Sequence, residues 1–338
     1  MAGEMLWTTQ SGYLSNGYLN MQFQKAAQPL TKFRQFCKIK EAFGKKKGET
    51  VNWLKVANIG TYGGRLVETN TMHETTQALS WGTLTVYENG NSIPFSFKID
   101  ALSMFELRSI INEGLLDDTG KCLDGNVERE FNKCALRGVG TATNTLTVTT
   151  NGTTTATNTS AMYPYHLRKM ILELKKRNVP GYTKLGGDYA CIASIYALDS
   201  FQGAMEALAY TVNTETGLSM ALNGEIGRYY ATRFVEDSFA SYNIYSPTAR
   251  TATSVFSNAT AGEGYSSTSW TGSSSGPAYV FGSPTVREAI VVPEEIRQKV
   301  VTDYGRSYGL AWYQLGGWAI EYEATDGDNA RIIKWDSA

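Results

Sequence analysis

The chain has 338 residues, of which 42% are hydrophobic and 19% are charged, so it is long enough to bury a core and to form two domains. Its 31 Lys and Arg residues nearly balance its 32 Asp and Glu residues, and a net charge of -1 excludes a global field that would hold nucleic acid. The N-terminal residues lack the basic start and apolar run of a secretory signal, and no stretch of about 18 apolar residues is available to span a membrane. The four cysteines form no Cys-x-x-Cys pair, which favours buried thiols in a reducing compartment.

Residues 1–47 predict an extended arm without a core of its own, because its aromatic side chains are scattered along the sequence. Within 23 positions of this arm, eight basic residues accompany a single acid, Glu41, which gives a local net charge of +7. Such a segment contacts an acidic partner or packaged nucleic acid, or it is simply a solvated surface. The basic residues are Lys25, Lys32, Arg34, Lys38, Lys40, Lys45, Lys46 and Lys47.

Residues 48–97 predict a long two-stranded loop. Strand propensity marks Thr50–Val56 and residues 83–87, and the Asn89-Gly90 pair predicts a hairpin between residues 84–87 and 93–97. Residues 66–77 are polar and show no periodicity. Because a two-stranded ribbon is marginal in water, we expect this loop to lie on another copy of the chain.

Residues 100–140 show the periodicity of a long helix with one buried stripe. Asp100 is expected to cap its start. Three glycines, at positions 114, 120 and 125, each cost roughly 1 kcal/mol inside a helix. We therefore predict one kinked helix or two helices in line, ending at Gly138. A long helix between an extended arm and a compact domain indicates a backbone for assembly rather than an active-site cradle. The predicted stripe consists of Met104, Leu107, Ile111, Leu115, Leu123, Val127, Phe131 and Cys134.

Residues 141–161 are rich in threonine and predict a surface hairpin with a turn at Asn151-Gly152. A helix follows over residues 163–178 and is ended by the Val179-Pro180-Gly181 segment. One face of this helix is apolar and the rest is basic, which favours a half-buried helix over a nucleic-acid-binding one. The apolar residues are Leu167, Met170, Ile171 and Leu174, and the basic ones are Arg168, Lys169, Lys175, Lys176 and Arg177.

The remaining chain predicts mixed strands and helices. A buried strand over residues 188–194 precedes a helix over residues 196–210, an order typical of an α/β layer. We expect a flexible loop at residues 261–277, because Ser and Gly dominate it. Further strands are predicted at residues 229–236, 279–282, 308–313, 317–322 and 331–335.

The sequence contains no complete catalytic motif and no complete metal-binding motif. His73 begins a zinc-protease-like sequence that lacks its second histidine, and the only other histidine is His166. Residues 114–122 nearly match a phosphate loop, but the glycine spacing is one residue too long and Asp117 and Asp118 would repel a phosphate. The Glu294-Glu295 pair follows Pro293 and is typical of a helix start. We predict no catalytic, cofactor-binding or metal-binding residues, no cofactor and no enzyme activity. An alternative is a carbohydrate-active hydrolase that uses Glu294 or Glu295.

Three parts of the chain carry a family resemblance: residues 78–87, residues 225–236 and four short segments between residues 280 and 335. They resemble the major capsid proteins of tailed bacteriophages, which have the Hong-Kong-97-type fold, and in particular the branch typified by the phage N-four coat protein. Residues 78–87 (ALSWGTLTVY) are similar to that branch's segment leading out of the extended loop. Residues 225–236 (EIGRYYATRFVE) are similar to the strand entering the second half of the fold. Residues 280–282, 302–306, 310–313 and 331–335 are similar to its C-terminal run. Residues 141–161 and 262–277 are expected to depart from the family pattern.

The resemblance implies an α+β fold with an N-terminal arm at residues 1–47 and an extended loop at 48–97. A peripheral domain with the spine helix would occupy residues 98–180, an axial domain residues 181–300, and closing strands that rejoin the peripheral domain residues 301–338. It further implies self-assembly into hexamers and pentamers of an icosahedral shell. The implied partners are a scaffolding protein, a portal, a cement protein and non-specifically contacted packaged DNA, with no membrane, and the implied location is a virion assembled in the host cytoplasm. The alternatives are an encapsulin-like compartment shell and a tail or adhesin structural protein.

Overall fold

The structure is a computed structural model of the chain, and it describes residues 32–40, 48–56, 59, 63–69, 71–152, 160–194, 197–199, 201–202, 228–236, 278–301, 303–322 and 329–335. The α-helices with defined bounds are α1 (Phe97–Leu102), α2 (Leu107–Asn132) and α3 (Pro164–Lys176). The strands are β1 (Lys38–Lys40), β2 (Thr50–Val56), β3 (Leu79–Thr85), β4 (Tyr87–Ser96), β5 (Leu136–Ala142), β6 (Thr145–Thr149), β7 (Tyr189–Ala193), β8 (Arg228–Tyr229), β9 (Thr232–Glu236), β10 (Ala278–Phe281), β11 (Val286–Gln298), β12 (Ser307–Ile320) and β13 (Ile332–Trp335). The predicted α+β class is confirmed.

The predicted long helix is confirmed as α2, but its limits and its interruption differ from the prediction. It runs without a break through its three glycines for 26 residues and ends at Asn132, six residues before Gly138. The interruption lies earlier, after α1, where Ser103 Oγ accepts the N–H of Phe105 at 3.2 Å. Asp100 therefore lies inside α1 instead of capping the long helix.

The buried stripe of α2 offsets the cost of its glycines. Six of the eight predicted stripe residues lie on α2 and are buried, namely Leu107, Ile111, Leu115, Leu123, Val127 and Phe131. Met104 precedes the helix and is exposed, and Cys134 follows it and is buried. Burial of a large aliphatic or aromatic side chain contributes about 1.5–3 kcal/mol, which exceeds the roughly 1 kcal/mol penalty of each glycine.

One four-stranded sheet has the order β1-β11-β12-β4. The hairpin predicted at Asn89-Gly90 is wrong, because β4 runs straight through this pair and aligns with β12 from Tyr87 to Ser96. A Cβ atom at Gly90 would lie 2.7 Å from the carbonyl oxygen of Trp312, so this glycine permits close approach of β12 rather than a turn.

Two further predictions in this sheet are corrected. The two strands predicted at residues 308–313 and 317–322 are the single strand β12. The helix start predicted at Pro293-Glu294-Glu295 lies within β11, whose register shifts between Val292 and Glu295. A register shift accommodates the proline, which lacks the N–H that a regular ladder requires.

The second sheet has seven strands in the order β6-β5-β13-β10-β7-β9-β8. The Thr-rich hairpin predicted at residues 141–161 is wrong in its limits and its turn. The hairpin consists of β5 and β6 and reverses at residues 143–144 instead of at Asn151-Gly152. The strand predicted at residues 229–236 is the short hairpin of β8 and β9, reversed at Tyr230 and Ala231, which both have positive φ. The predicted strands at β7, β10 and β13 are confirmed. Most of the helix predicted at residues 196–210 and all of the loop at 261–277 lie outside the described residues.

Two apolar clusters cover the two faces of the seven-stranded sheet. On one face, Ile192 and Phe281 join α2 and the four-stranded sheet in a common core. On the other face, Cys191 and Val280 pack with the buried side of α3. This alternation follows from strand geometry, because successive side chains point to opposite faces. The predicted half-buried character of α3 is confirmed, since Leu167, Met170, Ile171 and Leu174 are all buried.

Candidate functional site

Strands β2 and β3 form a separate two-stranded ribbon whose inner face packs on the main body. Val51 and Trp53 alternate with exposed residues along β2 and pack with Leu84, Ala289 and Ala319. Glycines permit the close packing at two points. A Cβ atom at Gly82 would lie 2.2 Å from the indole of Trp53, and one at Gly317 would lie 2.1 Å from the carbonyl oxygen of Thr85. The base of the ribbon is therefore fixed by steric fit.

Charged side chains complete this base. The guanidinium of Arg287 lies 4.9 Å from the Trp53 ring centroid and binds the Glu321 carboxylate with an N–O distance of 2.7 Å. The ammonium of Lys55 lies 5.8 Å from the Tyr322 ring centroid. Cation–π contacts of this kind contribute about 0.5–2 kcal/mol, depending on desolvation. They hold the inner face of the ribbon against β11 and the end of β12.

The outer face of the ribbon is apolar and exposed. Register pairs Leu54 with Trp81 and Val56 with Leu79, so these four side chains share one face. Their exposed fractions are 48%, 69%, 52% and 60% in that order. We call these four residues the outer ribbon patch. Large contiguous apolar surfaces on soluble proteins mark interaction sites, so this patch is a candidate docking surface.

The basic segment at residues 32–40 is anchored to the body along one stretch. Phe33 is fully buried and makes edge-to-face contacts with Phe131 and Tyr279, both at 5.4 Å between centroids. The Asp124 carboxylate accepts the N–H of Lys32 at 3.1 Å and that of Arg34 at 2.8 Å. Burial raises the pKa of Asp124, and these hydrogen bonds oppose the shift. This anchor ties Lys32, Phe33 and Arg34 to α2 and β10.

Arg34 is committed to acidic residues of the same chain. Its guanidinium binds Glu288 with an Nε–O distance of 3.0 Å and Glu294 with an N–O distance of 2.5 Å. Glu288 is fully buried, and burial raises its pKa while Arg34 lowers it. The positive charge of Arg34, one of the eight basic residues of the arm, is thus neutralised within the subunit. Of the other seven, only Lys32, Lys38 and Lys40 lie within the described residues.

The acidic pair considered for sugar hydrolysis is not brought together. Glu294 binds Arg34, and Glu295 binds Arg297 with an N–O distance of 2.5 Å. Each carboxylate is therefore paired with a different arginine, and the two are not assembled into one acid–base site. The near-match to a phosphate loop lies in the interior of α2, where Asp118 accepts the indole N–H of Trp312 at 2.8 Å.

The histidine and cysteine residues lie apart from one another. His73 is exposed in the loop beyond the ribbon, and His166 is buried on α3. All four cysteines are free thiols, and burial raises the pKa of Cys122 and of Cys191 to about 12. In the described part of the chain, no three His, Cys, Asp or Glu residues cluster in a way that could hold a metal ion. Nor does any described helix combine the length and apolar character of a membrane span.

Comparison with known proteins identifies the architecture. The chain is similar to a chain in the capsid structure of cyanophage P-SCSP1u, with a TM-score of 0.64, 10% identity and coverage of 97% of this chain and 94% of that one. It has the capsid fold of tailed phages. The head structure of Helicobacter pylori bacteriophage KHP40 matches with a TM-score of 0.63 and 11% identity over 95% of this chain and 94% of that one. The capsid of Ralstonia phage GP4 matches with a TM-score of 0.59 and 13% identity over 96% and 95%. No protein-family model and no curated protein sequence matches the chain.

These matches confirm the Hong-Kong-97-type architecture that was predicted from the sequence. The N-four-like branch stays a prediction. Sequence reasoning located the two-stranded loop but missed the outer ribbon patch and the Asp124 anchor. The patch had a readable signal, because Thr50–Val56 carries apolar residues on both alternating faces. No sequence signal indicated the Asp124 anchor, since Asp124 lies 92 residues from Lys32 in the sequence.

Proposed function

We propose that this chain is a major capsid protein, many copies of which self-assemble into the icosahedral shell around the double-stranded DNA genome of a tailed phage. The carrying observation is the match to phage capsid structures over nearly the whole length of both chains. The near-zero net charge supports it, because a strongly basic wall would bind the genome tightly and hinder its packaging and release.

The proposal includes the finer organisation that the family resemblance implies. The arm comprises residues 1–47, the extended loop 48–97, the peripheral domain 98–180, the axial domain 181–300 and the closing strands 301–338. Subunits form hexamers and pentamers, with a scaffolding protein, a portal and a cement protein as partners. Assembly takes place in the host cytoplasm, the product is the virion capsid, and the subunit is structural rather than enzymatic.

In this proposal the extended loop of each subunit lies over its neighbour. The exposed outer ribbon patch supports this role, because a face that bears Leu54 and Trp81 gains burial only from another molecule. The described residues of the loop between 63 and 78 are exposed as well. Burial at the interface then supplies stability that the lone subunit lacks, so folding and association are linked.

Expression of the full chain, followed by size-exclusion chromatography with light scattering and electron microscopy, tests the proposal. We expect closed shells of many subunits. A chain that stays a small monomer under all assembly-permissive conditions would contradict it. Deletion of residues 64–77 is expected to leave folded, soluble subunits that fail to close shells, with an unchanged melting temperature as the control for folding. Normal shells from the deletion variant would refute the role of the loop.

A further inference from the structure

Helix α3 presents a basic face to solvent opposite its buried face. Arg168, Lys175 and Lys176 are exposed, and Lys169 is partly exposed beside them. Residues seven positions apart lie on the same side of a helix, about 10.5 Å along its axis. Arg168 with Lys175 and Lys169 with Lys176 therefore form two parallel rows of positive charge. We call these four residues the α3 basic face.

The cations at the start of α3 are organised around one aromatic ring. The Arg168 guanidinium and the Lys169 ammonium each lie 5.5 Å from the centroid of Tyr165. At the other end, Glu173 binds Lys176 at 3.5 Å and Arg177 at 3.1 Å. Glu173 is the single acidic residue of the helix, so the face keeps a net positive charge.

The surroundings of α3 reinforce this charge instead of cancelling it. The helix contacts β6, β10 and β13, and none of these strands contains an acidic residue. From Lys133 to Gly187 the sequence has eight basic residues and one acidic residue, a net charge of +7 within a chain whose net charge is -1. This region therefore carries an excess of positive charge, and the rest of the chain carries a net charge of -8.

We propose that the α3 basic face binds the phosphate backbone of double-stranded DNA without sequence preference. The inference rests on the proposed function, which makes a packaged duplex the available ligand. Two charged rows suit a repeating phosphate backbone, and the exposed hydroxyls of Thr145 and Thr147 on the adjacent β6 add uncharged phosphate donors. The single exposed apolar residue of α3, Leu172, forms no groove for an acidic peptide.

The test is a salt titration of DNA binding by the full chain. Each neutralised phosphate contributes about -0.9 to the slope of log K against log salt, so four contacts predict a slope near -3.6. The double variant Arg168→Gln/Lys175→Gln is expected to reduce the slope by about 1.8 and to weaken binding at ~0.1 M salt by roughly 60-fold. Fluorescence anisotropy of a labelled duplex of about 20 base pairs measures both quantities over about 50–200 mM NaCl.

The matched control is Lys98→Gln/Arg306→Gln, which removes the same charge from exposed positions on α1 and beside β12. The control is expected to bind like the wild type. Equal losses in the two double variants, or an unchanged slope in the α3 variant, would overturn the inference. Displacement of the duplex by polyglutamate at an equal concentration of negative charge would overturn the choice of nucleic acid over an acidic protein.

Electron microscopy of the same variants separates this inference from the proposed function. The α3 variant is expected to form closed shells that retain less nucleic acid than control shells. Closed shells with undiminished nucleic acid would overturn the α3 assignment alone. A wild-type chain that binds the duplex with the expected slope yet never forms shells would contradict the proposed function and leave the α3 assignment standing.

Discussion

Trp81 offers a sharp test of the outer ribbon patch. Its exposed fraction is 69%, and a tryptophan buries up to about 250 Å² when it is covered. Covering the exposed part on a neighbouring subunit would remove up to about 170 Å² from water, which is worth up to ~4 kcal/mol at about 25 cal/mol/Å². Trp81→Ala should therefore weaken association strongly. It should change the stability of the lone subunit by only about 0.5 kcal/mol, because the side chain lies on the surface of the subunit.

The ribbon supplies its own control on the opposite face. Trp53 is buried against Gly82 and Arg287, so Trp53→Ala should destabilise the subunit by about 3–5 kcal/mol. Urea denaturation at a concentration that keeps subunits unassembled measures the stability term. Light scattering against protein concentration measures the assembly threshold. For Trp81→Ala we expect an almost unchanged denaturation midpoint together with a threshold at least tenfold higher, since each ~1.4 kcal/mol is worth a factor of ten.

Two results would refute this reasoning. If Trp81→Ala lowered the free energy of unfolding as much as Trp53→Ala, Trp81 would be part of the subunit core rather than a docking residue. If Trp81→Ala assembled at the wild-type threshold, the outer ribbon patch would not be an interface.

Three further predictions concern the subunit itself. Gly120→Ala should stabilise it by about 0.5–1 kcal/mol in urea denaturation, because a Cβ there meets nothing within 4 Å inside a regular helix; an unchanged midpoint would contradict this. Gly317→Ala should destabilise the subunit by about 1–3 kcal/mol in the same assay, because a Cβ would collide with the Thr85 carbonyl oxygen. An unchanged free energy of unfolding would show that the backbone at the base of the ribbon shifts to accommodate the methyl group. His166 Nδ1 accepts the N–H of Tyr163 at 3.1 Å, so Nε2 donates to the Ala142 carbonyl oxygen at 2.8 Å. Burial lowers the pKa of His166 below its ordinary 6.5, so the unfolded chain binds the proton first and stability falls as the pH drops through 6.5. Melting curves between about pH 5 and 8 should show this loss in the wild type and a smaller one in His166→Gln; identical profiles would exclude His166 as its source.

Local sequence patterns determined much of the element inventory. The 3.6-residue period of Leu107, Ile111 and Leu115 predicted α2, and the apolar face of residues 163–178 predicted α3. Both patterns work because helical side chains three and four positions apart share a face whatever the rest of the chain does. The strand Thr50–Val56 was located to the residue for a similar reason, since alternation and β-branched residues are local signals.

The failures came where distant partners override a local preference. Asn89-Gly90 is a strong turn signal, yet β12 supplies ten paired positions that keep β4 extended through it. Pro293 with two following glutamates is typical of a helix start, yet pairing with β12 on both sides of the proline, Val292 with Leu315 and Glu295 with Tyr313, holds the segment in β11. The glycines of α2 suggested a break, yet burial of a continuous stripe keeps the helix intact.

The sequence by itself therefore determined α2, α3 and the strands β2, β7, β10 and β13 and, through its family resemblance, the capsid fold. Only the tertiary structure decided which face of the β2–β3 ribbon is buried and which charged side chains pair within the subunit. Arg34 forms ion pairs with Glu288 and Glu294, while the basic side chains of α3 lie on the surface. The physical reason is that secondary structure arises from interactions within a few residues. The anchor of the basic segment arises instead from a contact between Lys32 and Asp124, which lie 92 positions apart in the chain and meet only after folding.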